Sequence, residues 1–210
     1  MNHPAKYSDA ILPVLEKMLP ADKYPILLDP FAGTGKLHQV RPDAVLVEIE
    51  PEWAAEGRAI VGNALSLPFK SEAFDAICTS PCYGNRMADH HNAKDSSRRN
   101  TYTHTLGRTL HPDNSGTLQW GEKYIDFHLR AWKECIRVLK MGGLFVLNCK
   151  DHYRHGELQL VTVWHVTALI KLGALIKNHE LIQVTGNRFG QNYEKRVSVE
   201  YVIEFIKGKK

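Results

Sequence analysis

Residues 79–86 read Thr79-Ser80-Pro81-Cys82-Tyr83-Gly84-Asn85-Arg86, directly after the apolar run Phe74-Asp75-Ala76-Ile77-Cys78. A short Pro-containing segment ending in an aromatic, set at the carboxyl end of a strand, can hold a flat ring that bears an amine. One ring face stacks on Tyr83, while the Ser80 hydroxyl and the Pro81 carbonyl accept hydrogen bonds from the amine. That arrangement suits transfer of a methyl group onto an exocyclic nitrogen.

A second constellation lies upstream, Asp29-Pro30-Phe31-Ala32-Gly33-Thr34-Gly35. Gly33 and Gly35 lack Cβ, so a turn built on them lets the backbone approach a ligand closely. In dinucleotide-binding folds such a turn reads GxGxxG and delivers a pyrophosphate to a helix amino terminus. Here His38 stands in place of the third glycine. Asp29, just ahead of the turn, suits a cationic ligand better than a pyrophosphate. Downstream, Glu48-Ile49-Glu50 closes an apolar run, where a carboxylate can accept both hydroxyls of a ribose. Gly62-Asn63-Ala64 then lies where an adenine edge would be read. The pattern fits a positively charged, nucleoside-bearing cofactor better than a nicotinamide dinucleotide.

Positioning these residues calls for a parallel α/β frame. Apolar runs at 24–28, 44–49, 59–61 and 74–79 alternate with helical stretches and read as parallel strands. An amphipathic helix is expected over 8–19, capped by Ser8 or Asp9 and ended by Pro20, and another around 52–58. Tyr124, Phe127, Ala131, Ile136 and Leu139 recur at helical spacing, predicting a helix over 123–140 that Met141-Gly142-Gly143 stops. A buried strand over 144–149 and a helix over 158–172 follow. The chain then alternates over 179–185 and 196–207 about a turn at 186–192, as an antiparallel hairpin does. Segment 84–120 breaks the rhythm. It is polar, poor in aliphatics and longer than an ordinary connection, so it reads as a functional insert in a single domain over 1–210.

Composition narrows the class. The 210 residues are 43% hydrophobic and 24% charged, with a net charge of +4. Such a chain is an ordinary globular protein whose mild basicity permits a nucleic-acid partner without demanding one. Cys78, Cys82, Cys135 and Cys149 form no CxxC pair, which favours reduced thiols and a cytoplasmic location. There is no secretory apolar segment and no run of membrane-spanning length, so no membrane partner is expected. His90, His91, His104 and His111, with Cys82, match no zinc-ligand spacing, and no metal is expected.

Together the motifs resemble those of the S-adenosylmethionine-dependent amino-methyltransferases that modify DNA bases, a Rossmann-like class I family. The resemblance implies a mostly parallel seven-stranded sheet ending in an antiparallel hairpin. It implies cofactor contacts from Lys6, within His3-Pro4-Ala5-Lys6-Tyr7-Ser8, and from Asp29, Phe31, Gly33 and Gly35 in the loop. Glu48 would take the ribose, and Asn63 and Ala64 the adenine, with Asn63 standing where the family usually has Asp. Ser80, Pro81, Cys82 and Tyr83 would hold the target base, which must first leave the duplex because its amine is otherwise paired and stacked. Serine at the head of this tetrad is commoner among N4-cytosine than N6-adenine enzymes, and RNA-base methylation uses similar tetrads.

Cys82 departs from the family's usual Pro. Pro81-Cys82 is also the dipeptide with which C5-cytosine methyltransferases attack C6. Those enzymes place a Gln after the Cys, where this chain has Tyr83, and use a Glu-Asn-Val strand end, where it has Leu147-Asn148-Cys149. An unactivated thiol is mostly protonated near neutrality, so the amine route is the expectation.

The insert follows the tetrad at once and is expected to border the base pocket as a target-recognition loop. Arg86, Arg98, Arg99 and Arg108 can contact phosphates, and Asn85, Asn100, Tyr102 and His104 can contact base edges. DNA is the expected partner, with RNA as an alternative. So small a recognition apparatus suits a monomer on a short site or a homodimer.

Overall fold

The computed structural model describes residues 7–84, 102–154, 156–184 and 196–209. Strands β1 (Leu27–Asp29), β2 (Val45–Glu48), β3 (Ile60–Val61), β4 (Phe74–Thr79) and β5 (Leu139–Cys149) pair in parallel. A small hairpin, β6 (His152–Arg154) with β7 (Glu157–Gln159), stands apart. Strands β8 (Ala174–Gln183) and β9 (Val199–Lys207) complete the main sheet in antiparallel fashion. The seven strands lie in the order β3-β2-β1-β4-β5-β9-β8, and the mostly parallel sheet with an antiparallel end is the one the resemblance implies. The order reverses between β1 and β4, so the carboxyl ends of these two strands open a crevice at a topological switch point.

Successive strand residues point to opposite faces, and each face feeds its own core. Leu28, Ile77, Phe145 and Leu147 pack with Tyr124 and Trp132 of α4 (Glu122–Val138) and Leu169 of α5 (Val161–Lys171). Leu27, Ala76, Cys78, Leu144 and Val146 pack with Leu15 and Met18 of α1 (Leu12–Met18). Among the described residues no helix is long and apolar enough to cross a membrane.

Several boundaries differ from expectation for local physical reasons. Helix α1 begins at Leu12 because Pro13 sets its first turn. Neither Ser8 nor Asp9 caps it, and Asp9 is drawn instead to Lys36 Nζ at 2.6 Å. Helix α4 passes directly into β5. Gly142, with φ of 72°, therefore relieves a slip in the β4–β5 pairing rather than stopping a helix. Helix α5 starts at Val161 because the preceding residues are engaged in β7, and Asp151 Oδ1 accepts from Thr162 N at 2.7 Å as a cap supplied from outside the helix.

The insert leaves and rejoins the domain at one point, where Trp120 N donates to Gly84 O at 2.9 Å. A Cβ on Gly84 would stand 2.7 Å from Trp120 N, so glycine is required there. Its described part is not a solvated loop. Tyr102, in α3 (Tyr102–Leu106), and Leu110 bury with Trp53 of α2 (Pro51–Gly57). The brace is Glu50, which is wholly buried. Its Oε1 accepts from His111 N at 2.7 Å and Asn114 Nδ2 at 2.8 Å, and Arg108 stands 2.7 Å from its Oε2. Replacing Glu50 with Ala strips buried donors of their acceptor, which costs about 2 kcal/mol. Urea unfolding should register that loss, and limited proteolysis should show faster cleavage within 102–120.

Candidate active site

Asp29 closes β1 at the switch point, with 1% of its surface exposed. Its Oδ1 accepts from Phe31 N at 3.0 Å and Thr79 Oγ1 at 2.9 Å, and its Oδ2 accepts from Tyr7 Oη at 3.3 Å. These donors are neutral, and burial pushes the carboxyl from 3.8 up to about 7. A second acid, Glu48, closes β2 and is also held up by burial. Its Oε2 accepts from Gly33 N at 2.8 Å, and its Oε1 accepts from Ile49 N and Glu50 N at 2.9 and 3.0 Å. A carboxylate has about four acceptor directions, so roughly one is left for a ribose hydroxyl.

Two buried acids beside one glycine turn repel a pyrophosphate and favour a cation. The turn leads only into a short 3-10 stretch, Lys36–Gln39, and offers no long helix amino terminus. The residues present therefore fit a sulfonium-bearing nucleoside such as S-adenosylmethionine. Gly35 serves the turn differently from expectation. A Cβ there would meet Gly57 O at 2.7 Å, so its missing side chain admits α2 rather than a ligand.

Beyond the ends of β2 and β3 lies a cavity of about 470 Å³, walled by Ile49, Val61, Gly62 and Asn63 on one side and by residues 108–111 of the insert on the other. Asn63 Oδ1 accepts from Leu65 N at 2.9 Å, and its Nδ2 donates to Asp113 Oδ2 at 2.9 Å. The carboxylate missing at position 63 thus stands next door, on the insert. Ala64 is buried against Phe127 and Ala131. Phe31 is half-buried and stacks on His128 with 6.0 Å between centroids.

Thr79 hands the chain from Asp29 to the tetrad. Tyr83 Oη donates to Asn148 Oδ1 at 3.2 Å and lies 2.9 Å from Ser80 Oγ. A phenol has one proton, so Ser80 must donate to Tyr83, and both Ser80 lone pairs remain to accept from an amine. The Cys82 carbonyl accepts from Tyr124 Oη at 2.6 Å. Tyr124 Oη is 2.9 Å from His165 Nε2, and His165 Nδ1 accepts from Trp132 Nε1 at 3.0 Å. Burial lowers the His165 pKa and keeps the ring neutral, so its one proton sits on Nε2 and the chain runs Trp132 to His165 to Tyr124 to the Cys82 carbonyl. The Cys82 thiol donates to Tyr102 Oη at 3.3 Å, and burial pushes its pKa up.

Of the residues singled out in the sequence, hydrogen bonds join Asp29 to Phe31 and to Thr79 just ahead of Ser80, and Gly33 to Glu48, while Asn63 lines the cavity at the ends of β2 and β3. Lys6, Asn85, Arg86, Arg98, Arg99 and Asn100 lie outside the described residues. Arg108 is not presented to a phosphate. Its Nε donates to Glu52 Oε1 at 2.9 Å and its NH1 to Thr109 O at 2.8 Å, and it also meets Glu50. Among the described residues no group of three His, Cys, Asp or Glu is arranged to hold a metal ion. Sequence reasoning assigned no site role to Glu50, Tyr124, Asn148 or His165, nor to Glu200, whose Oε2 accepts from Asn148 Nδ2 at 3.2 Å. The second acid of Glu48-Ile49-Glu50 was the available signal for the first of these.

A family model described as DNA methylase matches residues 74–210. Among solved structures, an S-adenosylmethionine-dependent methyltransferase of Methanosarcina mazei is 13% identical, with 94% of this chain and 98% of that chain covered at a TM-score of 0.59. The N-methyltransferase NodS of Bradyrhizobium japonicum, solved in complex with S-adenosyl-L-homocysteine, is 10% identical over 93% of this chain and 85% of its own, at 0.54. A Pyrococcus horikoshii protein is 15% identical over 95% and 88%, at 0.57. At such identities the likeness establishes the fold. No curated protein matches the chain.

The acid pair has a measurable consequence. Asp29 attracts a cation only when ionised, and its proton leaves near pH 7. Below that pH, binding must expel the proton, so the Kd for S-adenosylmethionine should rise by up to about tenfold per pH unit. Calorimetry between pH 5 and 8 reads this slope, and Asp29→Asn should bind more weakly with the slope largely removed.

Proposed function

This chain belongs to the DNA methylase family whose model spans residues 74–210, and on that premise we propose that it methylates an exocyclic amino group of a DNA base, N4 of cytosine or N6 of adenine. It is a methyltransferase enzyme, and its cofactor is S-adenosylmethionine. When bound, that cofactor supplies an electrophilic methyl group on a sulfonium centre.

The chain's own residues orient the reactants. Asp29 and Glu48 hold positive charge at the switch point, and Phe31 adds an aromatic wall. On the other side of the Asp29–Thr79 hydrogen bond, the tetrad receives the everted base. Its amine lone pair is conjugated into the ring and is a poor nucleophile, so a gain comes from fixing the nitrogen where that lone pair faces the methyl carbon. Ser80 Oγ accepts an amine hydrogen, the Pro81 carbonyl offers a second acceptor, and the partly exposed ring of Tyr83 offers a stacking face. The observation that carries this reading is the hydrogen-bond polarity of Ser80, Tyr83 and Asn148, which leaves the serine an acceptor. A hydroxyl committed the other way would favour a carbonyl-bearing edge instead.

Segment 85–101 follows the tetrad in sequence, and Arg86, Arg98 and Arg99 are the phosphate contacts in this reading. In the same reading, residues 108–111 of the insert wall the cofactor's adenine end.

Cysteine chemistry is disfavoured. An attacking thiolate needs a neighbouring base or cation to ionise it, whereas the half-buried Cys82 thiol spends its hydrogen on Tyr102, and desolvation raises its pKa. Nucleosides released from DNA incubated with enzyme and cofactor, resolved by mass spectrometry, test the proposal against parallel RNA incubations. N4-methylcytosine or N6-methyladenine is expected, and 5-methylcytosine alone, or labelled RNA alone, would overturn it. Cys82→Ala should keep kcat within about threefold, whereas loss of a nucleophile costs about 10⁴-fold or more.

A further inference from the structure

The tetrad's polarity has a source that the methyl transfer itself does not use. Asn148 lies at the carboxyl end of β5, wholly buried. Its Nδ2 donates to Glu200 Oε2 at 3.2 Å and approaches Tyr201 O at 3.4 Å. Both are acceptors, so they hold the amino side of the amide towards β9 and turn Oδ1 towards Tyr83. The remaining directions follow from proton counting: Tyr83 donates to Asn148, and Ser80 donates to Tyr83. Lys150 Nζ stands 3.8 Å from Glu200 Oε1 and secures the carboxylate from its far side.

We infer that Glu200 is a positioning residue for the target amine, acting through Asn148 and Tyr83 to keep the Ser80 lone pairs turned out to accept. The inference rests on the amino-methylation reading above. Glu200 sits near the start of β9, paired with Ile182 of β8, far in sequence from the tetrad it governs. A neutral side chain could complete the hydrogen bonding of Asn148 without the cost of half-burying a charge. What the charge adds is direction, because a carboxylate can only accept. Once protonated, Glu200 can donate to Asn148 Oδ1. The amide is then free to turn, Nδ2 donates to Tyr83, and Tyr83 donates into a Ser80 lone pair. One of the two Ser80 lone pairs is then spent on Tyr83 and the freed hydroxyl proton competes for the amine's side, so the amine's acceptor is weakened.

Burial raises the Glu200 pKa above the usual carboxylate value, so this reversal belongs to the acid side of the rate profile. The titratable groups facing Glu200 among the described residues are Lys150, Tyr83 and Cys149, with Arg196 acting on Lys150. Burial keeps Tyr83 and Cys149 protonated, leaving the carboxylate to titrate. Asp29 also titrates, but it acts on cofactor affinity, and saturating cofactor removes it from kcat.

The test is kcat for DNA methylation against pH, at saturating S-adenosylmethionine, for the wild type, Glu200→Gln and Glu200→Met. Wild-type kcat should fall on the acid side. Glu200→Gln does not titrate and, like the protonated acid, can donate to Asn148 Oδ1, so its acid limb should vanish, with kcat at pH 8 lowered to about the acid-side level of the wild type. Glu200→Met should lose about 10- to 100-fold in kcat, the range for one hydrogen bond to a charged group, while calorimetry shows its cofactor Kd within about twofold. An acid limb that persists in Glu200→Gln, or a Met variant that turns over like the wild type, overturns the inference. Should the Met variant fail to fold in a thermal melt, the Gln profile decides alone. A wild type that makes no methylated amine sinks the parent reading. One that does, alongside a superimposable Gln profile, sinks only Glu200.

Discussion

A carboxylate buried among neutral donors at the point where strand order reverses is the constraint from which the rest of the site follows. Asp29 ends β1, and the Thr79 hydroxyl that ends β4 donates to it at 2.9 Å, so one hydrogen bond spans the switch. The same oxygen receives Phe31 N, which fixes the glycine turn on one side, while Thr79 leads straight to Ser80 on the other. The sign of its electrostatics is informative. A carboxyl raised from 3.8 to about 7 favours the protonated fold, so stability declines as pH rises between those values, by about 4 kcal/mol in all. Near neutrality the fold carries that disadvantage, which a cation held beside the carboxylate would offset.

The two acids of Glu48-Ile49-Glu50 show how one turn serves two purposes. Glu48 folds inward onto Gly33 N, and Glu50 folds outward onto His111, Asn114 and Arg108. The insert is thereby fastened to the loop that follows β2. Residues 108–111 close the cavity beside Asn63, and Asp113 supplies the carboxylate beside its amide. Occupancy of that cavity bears on the insert as directly as on the sheet.

What the sequence disclosed was governed by how local the determining interaction is. Strand β4 occupies 74–79 as read, because an apolar run between polar turns leaves no alternative. The mostly parallel sheet with an antiparallel end was legible through the resemblance, whereas the strand order was not. Non-local effects were opaque. Gly35 looks like a ligand-facing glycine, but its neighbour is Gly57 from α2. Arg108 looks like a phosphate contact until Glu50 and Glu52 are brought against it. The start of β8 was hidden because Leu175 and Ile176 are exposed on an edge strand, where apolar alternation does not mark the buried side. The cap of α5 comes from Asp151, outside the helix, so no local pattern announced where that helix begins.

The cysteine in the tetrad can be understood through what a proline would have done there. Proline fixes φ near −65° by its ring, and a cysteine leaves that rotation free. Here the peptide is held by other means. The Cys82 carbonyl is the terminal acceptor of a buried chain that begins at Trp132 and passes through a neutral His165 and Tyr124, each donor assigned by the one before it. The side chain meanwhile packs against the cluster of Trp53 with Tyr102 and Leu110 of the insert. Backbone rigidity that proline supplies covalently is supplied here by hydrogen bonds from α4 and α5, and the freed side-chain position fastens the insert to the segment that follows β4. A thiol is apolar enough for that contact and, with its proton retained, contributes packing rather than reactivity.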